Sequence, residues 1–312
     1  MKHVSIVGSG NVGANTAFFL AENHTASVTL VDIKEGLSKG KALDMMEAGP
    51  LRRYDTNIEG TDDIGRIAGS DVVVIAAGRV RKPEEQRVDL YHENKVAVQA
   101  ICRDIARLAP EAIVVNMVEP IDGLTLLAQE TLGFDRRRVL GVGGLLSSTR
   151  LRHLVSTALG VSPRETTGLV IGPHFQGMVF LKDSIRVCGV PAVKLLGEKR
   201  LQEIIEEARQ AGDTILQLAQ RSTAYYAPSA AAEALCEAIV RDTHAILPVS
   251  VRLEGEYGIK GLCVGVPARI GQSGVEKVLE VRLSDEERRD FDRAVGDLRT
   301  AVQNVRQGLG RS

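Results

Sequence analysis

The sequence is poor in the residues that build stacking surfaces, disulfide frameworks and membrane spans. Its 312 residues include no tryptophan, only 4% aromatic residues and four cysteines, and the formal net charge is -1. Few aromatic residues argue against a surface on which bases or sugars stack. A charge near zero, without long blocks of one sign, indicates neither nucleic acid nor a membrane as a partner. No apolar run approaches the roughly 20 residues of a membrane-spanning helix.

The few cysteines and the N-terminal residues favour a cytoplasmic protein. Cys102, Cys188, Cys236 and Cys263 form no C-x-x-C pair and lie at no metal-ligand spacing from a histidine. We therefore expect reduced thiols and no metal site. Met1–His3 leads directly into a strand-like run, so no signal peptide is expected.

Short apolar runs alternate with helix-like segments through the first half of the chain. These runs are rich in β-branched residues and predict buried strands at His3–Val7, Ser27–Asp32, Asp71–Ala77, Ala112–Asn116 and Val139–Val142. Residues Asn11–Glu22 have the spacing of an amphipathic helix. Buried strands separated by helices predict a doubly wound parallel sheet of the Rossmann type, covered on both faces.

The pattern changes at about residue 146, where shorter strands and longer helices begin. Strands in a mixed or antiparallel arrangement are expected at Gly168–Gly172, Met178–Leu181, Ser184–Cys188, Ala245–Leu253 and Gly261–Ile270. Helices are expected over Glu198–Arg221, after Pro228 to about Arg241, and from an N-cap at Ser284. The sequence thus predicts an α/β fold, with a Rossmann domain at residues 1–145 and an α+β substrate domain at residues 146–312.

A glycine-rich turn follows the first predicted strand and opens the first predicted helix. The segment GSGNVG is a G-x-G-x-x-G pattern in the strand–turn–helix context that dinucleotide binding requires. Its glycines permit a tight turn, close approach of a pyrophosphate and close packing of helix on strand. The helix N-terminus adds free N–H groups. The residues expected to contact the cofactor here are Gly8, Gly10, Asn11, Val12 and Gly13.

Asp32 ends the second predicted strand and is expected to complete the cofactor site. A carboxylate at this position can accept both ribose hydroxyls and would repel a 2′-phosphate, which favours NAD over NADP. The other interpretation is a tight glycine turn without a ligand, followed by an aspartate that caps the next turn.

Four longer segments extend the resemblance from a motif to a family. GLSKGKALDM at residues 36–45, GRVRKPEEQRVDL at 78–90, STAYYAP at 222–228 and GLCVGVPARIGQSGVE at 261–276 resemble, in this order, segments of the lactate/malate dehydrogenase superfamily. The chain is most similar to its lactate-dehydrogenase-like malate dehydrogenase branch. The resemblance implies NAD-dependent hydride exchange with the C2 carbon of a 2-hydroxy acid, and a homodimer or homotetramer.

The resemblance also assigns roles to four side chains. His174 matches the acid/base histidine, and Arg87 matches the loop arginine that polarises the substrate carbonyl. Arg150 matches the arginine that binds the substrate carboxylate, which a guanidinium can grip with two parallel hydrogen bonds. Arg81 matches the position that selects the substrate, where an arginine complements a second carboxylate. Together they imply a malate-like dicarboxylate.

The same comparison shows departures that cluster in the expected substrate site. Ser147 replaces the aspartate that pairs with the family's histidine, and Glu119 replaces an asparagine that orients substrate and cofactor. Phe175 and Gln176 replace a glycine and an acidic residue after the histidine. Glu119 is expected to line the substrate site, and it could turn toward His174 and replace the missing carboxylate. The peptide before Pro120 is expected to be cis by resemblance.

Three functions remain open from the sequence. The leading one is an NAD-dependent oxidoreductase of the malate/oxaloacetate type. The alternative is a catalytically impaired or repurposed NAD-binding paralogue with a different substrate or a regulatory role. A third is an NAD-dependent glycosidase, which would hold a metal with cysteine and histidine, but Cys188, the cysteine nearest to His174, is 14 residues away.

Overall fold

The computed structural model describes residues 2–79, 87–174, 177–220 and 223–306. Within these ranges, the strands are β1 (His3–Val7), β2 (Ser27–Val31), β3 (Ile58–Thr61), β4 (Val72–Ile75), β5 (Ile113–Asn116), β6 (Val139–Gly141), β7 (Thr166–Ile171), β8 (Val179–Val187), β9 (Val190–Pro191), β10 (Ala245–Glu254), β11 (Lys260–Gly271) and β12 (Gly274–Val278). The helices are α1 (Asn11–Glu22), α2 (Leu37–Arg52), α3 (Arg87–Leu108), α4 (Ile121–Leu132), α5 (Gly143–Leu159), α6 (Ala192–Leu196), α7 (Glu198–Ala219), α8 (Tyr226–Val240) and α9 (Asp285–Arg306).

Six parallel strands form the half of the main sheet that positions the glycine turn. Their order is β3-β2-β1-β4-β5-β6, with crossovers on both sides of β1. Alternate residues of β4 enter different cores, Val72 and Val74 on one face and Val73 and Ile75 on the other. Both faces of the predicted parallel sheet are therefore covered. This is the arrangement expected for parallel strands that are apolar on both sides.

The main sheet does not end with the parallel strands. Strand β10 pairs antiparallel with β6 through Ser250 opposite Gly141 and Val251 opposite Leu140, and β11 and β12 follow it. Strands β7, β8 and β9 form a separate antiparallel sheet. Helix α5 spans the expected boundary between residues 145 and 146. The division into 1–145 and 146–312 stays a prediction, since the sheet is continuous across it.

Two elements differ from their sequence predictions for identifiable reasons. Met178–Leu181 and Ser184–Cys188 were expected as two strands, but they belong to the single strand β8. The Ser184 side chain accepts a hydrogen bond from the Leu169 backbone at 2.8 Å and donates to the Leu181 carbonyl at 2.6 Å, so pairing with β7 continues past a bulge. Helix α8 starts two residues before Pro228 rather than after it. A proline is tolerated in the first turn of a helix, because that N–H has no helical acceptor.

The C-terminal helices close the core and bring the second half of the chain against the first. The apolar face of α8 is mostly buried against α1 and the sheet. The Ser229 hydroxyl donates to the Val12 carbonyl at 2.8 Å, which ties α8 to the glycine turn. Helix α9 starts at the expected N-cap, where Ser284 and Glu287 exchange hydrogen bonds between side chain and backbone. Among the described residues, no helix is long and apolar enough to cross a membrane.

Candidate active site

The glycine turn between β1 and α1 has a geometry that only glycine satisfies at two positions. Gly8 has a φ of 109°, and a Cβ there would lie 2.4 Å from the Ala77 backbone nitrogen. A Cβ on Gly13 would lie 1.9 Å from the Gly8 carbonyl oxygen. Gly10 is different, since among the described residues a Cβ there would meet no atom within 4 Å. The turn is thus tight beneath Gly8 and Gly13 and open in front of Gly10.

Asp32 lies beside this turn, at the carboxyl end of β2. Its carboxylate accepts hydrogen bonds from the Ser9 backbone at 2.7 Å, the Ser9 hydroxyl at 2.8 Å and the Lys34 backbone at 3.0 Å. Burial alone would raise the pKa of Asp32, but these hydrogen bonds and the charge of Lys41 outweigh burial and lower it. Lys41 also donates to the Ser9 carbonyl at 2.6 Å. The site therefore presents an ionised carboxylate at the position expected for ribose recognition.

These features fit a dinucleotide. The space in front of Gly10 allows close approach of a pyrophosphate, and no side chain among the described residues caps the N-terminus of α1, where Asn11 and Val12 form the first turn. The Asp32 carboxylate lies at the strand end where the ribose would be bound.

A cavity opens next to the glycine turn, beyond the carboxyl ends of β4 and β5. In open parallel sheets this crevice is where ligands bind. Apolar residues form much of its wall, including Val12, Met117 and Met178. Charged or titratable side chains reach it from several elements, namely Arg79, Glu119, Arg150, His174, Arg209 and Asp213. An apolar cleft with a few convergent polar groups is the usual form of a small-molecule site.

His174 is buried in this cavity, just beyond the end of β7. Its backbone N–H donates to the Asp122 carboxylate at 2.7 Å, and the Ser250 hydroxyl donates to the other Asp122 oxygen at 2.5 Å. Burial raises the pKa of Asp122 to about 6, although the hydrogen bonds from Ser250 and His174 oppose that rise. Residues from β10 and the start of α4 thus fix the backbone of the expected acid/base residue.

Glu119 lies next to the His174 ring. One of its carboxylate oxygens, Oε1, is 3.4 Å from His174 Nε2, and the other accepts a hydrogen bond from the Ile121 backbone at 3.3 Å. The Glu119–Pro120 peptide is cis, as expected. The structure therefore brings Glu119 and His174 together, although they are distant in sequence.

Ser147 and Arg150 both lie on α5, but they have different environments. Ser147 is completely buried, and its hydroxyl donates to the Met178 sulfur at 2.8 Å. Arg150, one turn later, reaches the cavity wall beside Gly212 of α7. A Cβ at Gly212 would lie 3.3 Å from an Arg150 guanidinium nitrogen, so the glycine leaves room for this side chain.

Two polar residues that were not predicted as site residues from the sequence, Asn94 and Arg209, help to build the site. Asn94 of α3 is buried, accepts from the Arg79 backbone at 2.8 Å and donates to the Glu119 carbonyl at 2.9 Å. Arg209 of α7 donates to the Met178 carbonyl at 2.7 Å and lies 5.0 Å from the centre of the Phe180 ring. A polar residue on the apolar face of a helix is the signal that could have identified Asn94.

Several of the predicted site residues lie outside the described residues or have a side chain that is not described. Arg81, Phe175 and Gln176 lie outside the described residues. Arg87 is the first residue of α3, and its side chain is not described.

Comparisons with known proteins agree with this geometry. The lactate/malate dehydrogenase NAD-binding domain model matches residues 2–141, and the alpha/beta C-terminal domain model of the same family matches residues 145–308. A malate dehydrogenase of Desulforudis audaxviator is 40% identical over 308 residues, which cover 99% of this chain and 98% of that protein.

Two solved structures are similar to this chain over nearly the whole length of both chains. The malate dehydrogenase of Cryptosporidium parvum has a TM-score of 0.95 and 33% identity, covering 98% of this chain and 99% of that chain. A lactate dehydrogenase of the same organism, solved with lactic acid and β-nicotinamide adenine dinucleotide, has a TM-score of 0.93 and 32% identity, covering 97% of each chain. The matches confirm the α/β fold, NAD as the cofactor and an NAD-dependent oxidoreductase as the class of protein.

Proposed function

This chain belongs to the lactate/malate dehydrogenase family, and on that basis we propose that it interconverts malate and oxaloacetate. The observation that carries the proposal is the placement of His174 and Arg150 in one cavity beside the glycine turn. A dehydrogenase of this kind must bind a carboxylate, exchange the hydroxyl proton and hold the cofactor close to C2. The proposal is supported by the cavity and the turn, because the residues expected to perform these tasks lie in one cleft.

The cofactor half is proposed to act through backbone groups and one carboxylate. Gly8, Gly10 and Gly13 shape the turn against which the pyrophosphate lies, and Asp32 accepts hydrogen bonds from the ribose hydroxyls. The nicotinamide, when bound, supplies the hydride chemistry, and the protein contributes position and charge.

The substrate half is proposed to act through two side chains. Arg150 binds the carboxylate next to C2 with paired hydrogen bonds. His174 accepts the C2 hydroxyl proton during oxidation and returns it to the carbonyl oxygen during reduction. The hydrogen bond from the His174 backbone to Asp122 holds the histidine in place during both steps.

Arg81 and Arg87 complete the proposal by resemblance. Arg81 would bind the second carboxylate and so select a dicarboxylate, while Arg87 would polarise the carbonyl oxygen. The role of Arg81 predicts that activity with oxaloacetate exceeds activity with pyruvate, whereas the role of Arg87 applies to both substrates.

The test is NADH oxidation at high enzyme concentration with oxaloacetate, pyruvate and other 2-oxo acids, and with NADH binding measured in parallel. We expect turnover with oxaloacetate and a loss of about 10²–10⁴-fold in His174→Asn. Unchanged turnover in that variant would remove His174 from the mechanism. NADH binding without turnover on any substrate would instead favour a repurposed NAD-binding paralogue.

The assembly and location of the protein remain proposals. By family resemblance we propose a homodimer or homotetramer, which sedimentation velocity would distinguish from a monomer. A cytoplasmic location is supported by the four cysteines, which are all free and of which three are buried. Localisation of a tagged protein in cell fractions would test it.

A further inference from the structure

We propose that Glu119 is the charge partner of His174 and acts from the substrate side of the imidazole ring. In this position its charge lowers the affinity of the cavity for anionic substrates. The inference rests on the proposed dehydrogenase function, and it assigns to Glu119 a specificity-determining and positioning role in that reaction.

The first support is the geometry of the pair. Glu119 Oε1 lies 3.4 Å from His174 Nε2, which is the distance of an ion pair. The other carboxylate oxygen is held by the Ile121 backbone at 3.3 Å, and Asn94 holds the Glu119 carbonyl at 2.9 Å. The carboxylate is thus anchored through its own oxygen and through its backbone, at the side of the ring.

The second support is that the two other candidates for pairing with the ring are engaged elsewhere. Ser147 occupies the position where the family has its aspartate, but its hydroxyl donates to the Met178 sulfur. Asp122 accepts from the His174 backbone N–H through one oxygen and from Ser250 through the other. Among the described residues, Glu119 is therefore the carboxylate that lies within ion-pair distance of the ring itself.

The third support is the side of the ring on which the pair forms. The Nδ1 atom of His174 is buried, and both Nε2 and Glu119 belong to the cavity side. A substrate oxygen that exchanges a proton with His174 has to approach this same cavity side. A carboxylate behind the ring would not face the substrate, whereas Glu119 lies on the side from which the substrate arrives.

The charge of Glu119 acts on the substrate that enters the cavity. It repels an anionic substrate and therefore raises its KM. Among the described residues, the other charged groups around the ring are Asp122 on its backbone side and Arg79, Arg150, Arg209 and Asp213 on the cavity wall, and Glu119→Gln leaves all of them in place.

Glu119→Gln is the direct test, because it keeps the shape of the side chain and removes its charge. We expect KM for oxaloacetate to fall by about three- to tenfold in the variant, with a smaller change in kcat. Glu119→Asp keeps the charge and should retain a KM close to that of the wild type. Glu111→Gln, at a side chain that is 95% exposed, is the matched control and should leave KM unchanged.

Calorimetric titration of oxaloacetate into the protein saturated with NAD⁺ gives a readout without turnover, because the oxidised cofactor has no hydride to transfer to oxaloacetate. We expect the Kd to fall in Glu119→Gln by a factor similar to that for KM. The inference is overturned if Glu119→Gln leaves both KM and Kd unchanged or raises them. If the Kd falls in the variant and the wild type turns over none of the 2-oxo acids, the charge effect stands and the proposed function fails.

Discussion

The cofactor end and the substrate end of the same cleft are specified by different kinds of contact. At the cofactor end, Gly8, Gly10 and Gly13 lie within six consecutive residues, and Asp32 bonds directly to the same turn. At the substrate end, Glu119, His174 and the α5 residues come from separate elements. A constraint that is local in sequence leaves a readable motif, whereas a site assembled from distant segments can change one contact at a time.

The two ends of the cleft tolerate substitution differently. A Cβ at Gly13 would overlap backbone, so a larger residue at that position strains the fold. Ser147 and Glu119 instead face side chains, and a new residue at either position is accommodated by a new partner. Substitutions at each end can therefore show whether the two ends are specified independently.

The largest expected effect is at the glycine turn. Gly13→Ala should lower the free energy of unfolding by about 3 kcal/mol, because its Cβ would lie 1.9 Å from the Gly8 carbonyl. Gly10→Ala should change stability by less than about 1 kcal/mol and weaken NADH binding at least about tenfold, since its Cβ enters the open space in front of the turn. Urea unfolding and NADH fluorescence titration measure both. Equal effects of the two variants on stability would contradict the geometry of the turn.

A substitution at Arg150 should affect the substrate end of the cleft and leave the cofactor end unchanged. Arg150→Gln removes a charged hydrogen-bond donor from the substrate cavity, so we expect KM for oxaloacetate to rise about 10- to 100-fold. NADH binding should stay unchanged. Arg152→Gln is the control, because Arg152 is on the same helix but donates to the Thr166 carbonyl at 2.7 Å. A matching loss of NADH affinity in Arg150→Gln would show that the two ends are not independent.

Asp122 gives a stability prediction with a defined sign. Its pKa is raised by burial to about 6 in the folded protein, against 3.8 for an ordinary aspartate. A raised pKa means that the stability contributed by this group is present below about pH 4 and is lost as the pH rises through about 6. Relative to wild type, Asp122→Asn should therefore gain about 2 kcal/mol in unfolding free energy between pH 4.5 and 7.5.

A matched variant checks that this pH dependence belongs to Asp122. The pKa of Asp135 is lowered to about 2 by hydrogen bonds from Arg137, so its contribution is lost only as the pH falls below about 4. Urea unfolding of Asp135→Asn should therefore differ from wild type by the same amount at pH 4.5 and 7.5. If Asp122→Asn behaves in the same way, the Asp122 carboxyl titrates normally.

The smallest effect is expected at Ser147. Its hydroxyl donates to a thioether, which is a weak acceptor, so Ser147→Ala should change kcat/KM by less than about twofold. Steady-state kinetics with oxaloacetate measure this directly. A tenfold loss would mean that Ser147 acts on His174, and the substrate end would then retain more of the family's arrangement than the hydrogen bonds show.

The sequence predicted the regular elements best where one physical pattern acts alone. Strand β1 and helix α1 have the expected bounds, His3–Val7 and Asn11–Glu22, because a buried β-branched run and a glycine turn mark their ends. The short strands β3 and β12 were not predicted. Ile58–Thr61 contains a glycine and an exposed-looking glutamate, and Gly274–Val278 contains two charged residues, so neither carries a clear period-2 pattern.

The predicted site residues can be located in the structure, but their contacts could not be derived from the sequence. His174 and Arg150 line the same cavity, and their roles stay predictions. The partners of Ser147 and Glu119 could not be derived, because the Met178 sulfur and the His174 ring are brought near them only by the packing of β8 and the loop after β7. Long-range side-chain contacts depend on tertiary geometry that local spacing does not encode.

The pairing of β6 with β10 makes the two halves of the chain structurally inseparable. Gly141 and Leu140 of β6 use their outer edge to bond Ser250 and Val251, which come more than a hundred residues later. Cutting the gene after the cofactor half would leave that edge as a row of unsatisfied N–H and C=O groups, a template for aggregation. An isolated NAD-binding fragment should therefore need a capping strand to stay monomeric, and grafting this half onto a foreign substrate domain requires a donor that supplies one.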